Sequence, residues 1–216
     1  MKTTKRWIKK WEPCEEAVEW LEKQDTQDVF LLIEKLRNSD IEDRYNWLFW
    51  AIPRLIKTKR GRVKFAIYCA ELVLAVFEEK YPENNRPRKA IQAAKNWLKD
   101  PSKKTEEAAE DAAWDAAGAA AWASRAVWDA AGAAAWASRA ASWDAARTAE
   151  AAAWAAWDAA GAAARATARA AEATRAVWAA GAATWAAAEA VRAAEADPSV
   201  KDQIIEYGVK ILKEEK

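Results

Sequence analysis

The stretch "VKFAIYCAELVLAVFEEKYP", residues 63–82, decides how the rest of the chain can fold. Its apolar side chains recur on every face of a 3.6-residue helix rather than along one stripe, the pattern of a helix with protein on most sides. The spacing therefore predicts a central helix, stopped at Tyr81 and Pro82 because proline cannot continue the backbone ladder. A central helix needs neighbours with an apolar face, and the flanking sequence supplies them. Pro13 is suited to open a helix through "PCEEAVEWLEKQ" with Ala17, Trp20 and Leu21 on one face. "DTQDVFLLIEKLRNS" offers Asp25 or Thr26 as a cap and a stripe at Val29, Leu32, Ile33 and Leu36. In "SDIEDRYNWLFWAIPRLI", Ser39 or Asp40 is the expected cap, Trp47, Leu48, Ile52 and Leu55 the inward face, and Pro53 a kink or break. "KTKRGR", Lys57 to Arg62, reads as a basic loop turning at Gly61. After the polar turn "ENNRP", Pro87 starts a short amphipathic helix, "RKAIQAAKNWLKD", that ends before Pro101.

From residue 103 to about 196 the composition shifts to Ala, Trp, Arg, Asp and Glu. Alanine has the highest intrinsic helix propensity, and over so many positions that preference makes the region helical. The string "WDAAGAAAWASRA" occurs at Trp114 and again at Trp128. Taken modulo seven, Trp122, Trp136, Trp143, Trp157, Trp178 and Trp185 share one heptad position; Trp114 and Trp128 take the adjacent one, and Trp154 departs. Gly118, Gly132 and Gly181 share a second position, with Gly161 one step away. Large rings facing small residues make a packing seam between helices. One unbroken helix here would extend roughly 140 Å, so the region is expected to fold back as stacked antiparallel helices. "DPSVKDQIIEYGVKILKEE" closes the chain as an amphipathic helix, capped by Asp197 with Pro198 in its first turn, burying Ile204, Ile205, Val209 and Leu212. No alternating strand pattern accompanies these elements, and the expected class is all-α. Residues 1–100 form an N-terminal helical subdomain, and residues 101–216 an Ala/Trp-rich repeat region packed on it as one unit.

The 34 basic and 33 acidic side chains leave a net charge of +1, so nothing global draws the protein to nucleic acid or an anionic membrane. Histidine is absent, which removes the commonest general base and transition-metal ligand. Cys14 and Cys69 match no metal spacing and read as reduced core residues of a cytosolic protein. The basic start "MKTTKRWIKKWEPCEE" lacks the apolar run of a secretory signal, and charges recur through the Ala-rich region too densely for a membrane span. The expected location is cytoplasmic. No Ser-His or Cys-His pairing, phosphate-binding glycine loop or metal cluster emerges, so the expectation is a non-enzyme without a cofactor.

The segment "RVKFAIYCAELVLAVFEEKYPENNRPRKAIQAAKNWL", residues 62–98, resembles a family of bacterial immunity proteins of polymorphic-toxin systems, the fifth in the usual numbering, with similar proteins in phages. Its members show an "A-E-x-V-L-x-x-F/Y-E-x-x-Y-P-x-D-x-R-P-R-x-A-I-E-A-A" core followed by an Ala-rich helical tail. The matching positions are Ala70, Glu71, Val73, Leu74, Phe77, Glu78, Tyr81, Pro82, Arg86, Pro87, Arg88, Ala90, Ile91, Ala93 and Ala94. Asn85 stands near an acidic turn position, Gln92 replaces a Glu, and Trp replaces Tyr, His or small residues in the tail. The resemblance implies a protein that neutralises a toxin, or in a phage a host-defence effector, rather than one that turns over a substrate.

Candidate binding residues are Arg86 and Arg88 of the "RPR" motif, and Trp122, Arg125, Trp136 and Arg139 at equivalent positions of the repeat. Two guanidiniums flanking a proline at a helix start suit a carboxylate or phosphate; the competing assignment is internal ion pairs with Glu71, Glu78 or Glu79. Arginine beside tryptophan suits a nucleotide-like anion, but the same arginines suit Asp–Arg bridges to Asp115, Asp129, Asp144 and Asp158. Three readings follow. The first is an inhibitor that binds a protein toxin or defence effector through the repeat helices and the "RPR" turn. The second sequesters a small anionic ligand among Trp and Arg, with Arg125, Arg139 or Arg165 converging on it. The third is a homo-oligomer assembled through the repeat seam.

Overall fold

A computed structural model describes residues 13–113, 115–116, 118, 159, 161–162, 165–166, 189–190 and 199–215. Trp122, Arg125, Trp136 and Arg139, the rest of the Trp seam, Gly132, Gly181, Asp129, Asp144, Asp158, Asp197 and Pro198 lie outside the described residues. Six helices are described over their whole span: α1 (Glu15–Glu22), α2 (Val29–Arg37), α3 (Arg44–Leu55), α4 (Lys59–Lys80), α5 (Arg86–Lys99) and α6 (Ser199–Glu214). Residues 103–113 are also helical, and the described residues contain no β-strand, so the fold is all-α.

Helix α4 occupies the centre. Val63, Phe65, Ala66, Cys69, Ala70, Val73 and Phe77 are fully buried along it, and the burial covers most of its circumference as the lack of a single stripe demands. α5 packs against one side of α4, α6 against another, and α6 also contacts α3, which in turn carries α2. Tyr68 of α4 stacks on Tyr207 of α6 with ring centroids 3.9 Å apart and planes 13° from parallel. On α2 the expected stripe Val29, Leu32, Ile33 and Leu36 is the buried face. Ala162, Ala166 and Ala190 of the Ala-rich region belong to the same core cluster as α2 to α6. Ala113 and Ala116 pack against Ala90 of α5, and the Lys59 ammonium lies 3.1 Å from Glu106 and 4.5 Å above the Trp97 ring centre.

Several boundaries differ from the sequence reading. Asp28, not Asp25 or Thr26, caps α2, its carboxylate accepting from the Phe30 and Leu31 amides; Thr26 accepts from the Asp28 amide instead. Ser39 closes α2 by donating to the Leu36 carbonyl, and α3 begins after Asp43. Pro53 lies inside α3, which runs on to Leu55, and Phe49 takes the buried place expected of the half-buried Trp47. "KTKRGR" is not a loop. Thr58 caps α4 by accepting from the Gly61 amide at 2.9 Å, so the helix starts at Lys59 and Gly61 is buried in its first turn. Arg62 then reaches back and donates to the carbonyls of Pro53 and Ile56, which α3 leaves open at its end. Val209, expected in the core, is only half-buried.

Helices approach closely at Gly208 of α6, where an added Cβ would run into the Ile52 Cγ2 methyl and stand 3.0 Å from Phe65 Cε2. Ile52 is a stiff β-branched side chain and Phe65 is fully buried, so neither yields easily. Gly208→Ala is expected to destabilise the fold by about 1–3 kcal/mol despite its better helix propensity, read as a lower urea midpoint with an unchanged slope.

Candidate functional site

The "YPENNRPR" segment forms the α4–α5 turn. Helix α4 ends at Lys80 with Tyr81 as its C-cap, and α5 starts at Arg86 with Pro87 in its first turn. Tyr81 is anchored against Phe77, ring centroids 5.1 Å apart, and burial pushes its hydroxyl pKa up. The Asn84 side-chain oxygen accepts from Arg86 Nε at 3.0 Å and from the Arg86 amide at 3.4 Å, which holds the turn to the start of α5. Residues 80–86 line an open cavity of about 560 Å³.

The two arginines of the motif take different roles. Arg88 donates from Nε and Nη2 to the two carboxylate oxygens of Glu78, at 2.7 and 2.6 Å, and this fork ties α5 to α4. The Glu78 carboxylate raises the Arg88 pKa by hydrogen bonding and by charge. Arg86 turns to Asn84, a neutral partner, and borders the cavity; its Nη1 lies 3.9 Å from where a Cβ on Gly118 would stand. Lys80 stands on the same rim, with burial pushing its pKa down and no ion pair among the described residues. Two cations thus share the cavity with a single carboxylate, Glu83. Glu71, a competing partner for these arginines, pairs with Lys95. Lys80, Tyr81 and Asn84 escaped the sequence reading because a lysine ending a helix usually faces solvent; their proximity to "RPR" was the available signal.

Arg165, another arginine weighed for a ligand, donates to Glu189 at 3.0 Å, and that carboxylate side chain is only 8 % exposed. The contact joins two stretches of the Ala-rich region. Cys69 is fully buried, and burial pushes its thiol pKa far up, whereas Cys14 is exposed as the N-cap of α1 rather than a core residue. It precedes the first turn and does not line the apolar pocket that Ala17, Trp20 and Leu21 form with α2 and α3. Among the described residues no group of three or more His, Cys, Asp or Glu side chains is arranged to hold a metal, and no helix is long and apolar enough to cross a membrane.

Fold and site together define an all-α helical protein with a cationic surface turn. No protein-family model, curated protein or solved structure matches the chain. The two thiols give a direct check on the packing. A chromogenic disulfide reagent is expected to modify one cysteine rapidly in the native protein, Cys14, and both after unfolding; rapid native modification at Cys69 would show the centre of α4 open to solvent.

Proposed function

We propose that the chain is a non-enzymatic inhibitor of the immunity-protein type, acting in the cytosol, that neutralises a protein toxin or defence effector by occluding it. One observation carries this reading. The segment that resembles the immunity family, residues 62–98, is a helical hairpin whose turn is braced by Arg88–Glu78 and Arg86–Asn84 and holds Lys80 and Arg86 beside an open cavity without a matching carboxylate on each. A braced turn loses little conformational entropy when it binds. Its charges suit a carboxylate or phosphate that the target needs for its own chemistry. Inhibition would then be stoichiometric and would weaken as salt screens the contact.

A second reading, sequestration of a small nucleotide-like anion, is favoured by the size of the same cavity, about 560 Å³, which lies within the range of small-ligand sites. Native mass spectrometry of the protein drawn gently from its own host separates the two. A bound protein mass is expected with the wild type, and the double variant Lys80→Glu, Arg86→Glu should bind it at least about tenfold more weakly. A small mass shed on denaturation would support sequestration in its place; a bare chain would count against both.

A further inference from the structure

We infer that the groove between α2 and α6 is a contact surface for a second copy of this chain, paired about a two-fold axis. The groove encloses about 690 Å³. Phe30, Ile33, Ile205 and Val209 form its apolar floor, and Arg37 closes one end by donating to Asp202 at 2.9 Å and to Glu206 at 3.1 Å. Of the charged side chains along the lips, Glu206 pairs with Arg37 and Glu214 lies 3.9 Å from Lys64. That leaves Glu34 on the α2 side and Lys210 and Lys213 on the α6 side, all three exposed and none in an ion pair among the described residues. Next to the acidic lip, three residues before Glu34, Leu31 is 50 % exposed, the only large apolar side chain so open among the described residues.

A surface whose unpaired charges are acidic on one lip and basic on the other, over an apolar floor, is complementary to itself. A two-fold axis brings Glu34 of each copy against Lys210 and Lys213 of the other, so every favourable pair forms twice, and it covers Leu31 on both sides. A peptide bearing charges of one sign would be attracted by one lip and repelled by the other. The surface is separate from the α4–α5 turn, and the pairing does not depend on the inhibitor reading.

Sedimentation equilibrium of the full chain, from micromolar to near-millimolar concentration, tests it. The mass is expected to rise from one chain toward two. Leu31→Asp, Glu34→Lys, and the pair Lys210→Glu with Lys213→Glu should each weaken self-association about tenfold or more, because each change acts twice in a symmetric dimer. All four positions are exposed, so circular dichroism should show the helices retained. Mixing the Glu34→Lys chain with the Lys210→Glu, Lys213→Glu chain should restore a dimer made of one of each. A single-chain mass at all concentrations, a dimer indifferent to these substitutions, or no restoration on mixing would overturn the pairing.

Discussion

Everything described in this protein is arranged around the burial of α4. A helix that is apolar on most sides cannot rest at a surface, so it obliges α5, α6 and, through α6, α3 to surround it. The approach of α6 is close enough to require glycine at position 208, against Ile52 and Phe65, while the stacked rings of Tyr68 and Tyr207 continue the same interface. Its ends are secured by polar contacts. Arg62 satisfies the final carbonyls of α3, and Glu215, just past α6, accepts from the Lys57 amide at 2.7 Å where α3 gives way to α4.

With 34 basic and 33 acidic side chains the protein has almost no net charge, so its electrostatic character is a matter of which charges are paired. Arg37 ties α2 to α6, Arg88 ties α5 to α4, and Lys59 joins Glu106 to the face of Trp97. These pairs use up charges that a list of residues would count as available. Among the charges these pairs leave over are Lys80 and Arg86 at the α4–α5 turn and Glu34, Lys210 and Lys213 along the α2–α6 groove. Most of these pairs are partly exposed, so each contributes little to stability. Their larger effect is to sort surface charges into those committed to the fold and those free to meet a partner.

The helices were largely legible in the sequence, and the reasons for the misses are local. The stripe on α2, the all-round burial of α4 and the amphipathic α5 follow from side-chain period alone. Several of the errors fall at helix starts, where two or three neighbouring Asp, Ser and Thr residues can each serve as cap. Asp25 is drawn off to Lys35, which leaves the capping of α2 to Asp28. The basic character of "KTKRGR" suggested a loop because Gly and Lys are common in loops; Thr58 and Arg62 turned it into the start of a helix by capping α4 and closing α3. Of the motif "RPR", the sequence indicated the location but could not say that Arg88 is spent on Glu78 while Arg86 remains beside the cavity.

The sequence by itself determined the all-α class, the central place of the 63–82 helix and the low net charge, because each depends only on composition and on the spacing of side chains along one helix. Tertiary structure decided which charges are neutralised, that Cys69 is sealed away and Cys14 is not, and that Ala162, Ala166 and Ala190 join the same core as the first half. Those outcomes depend on distances between residues far apart in the chain, and such distances are set only when helices with compatible faces have packed.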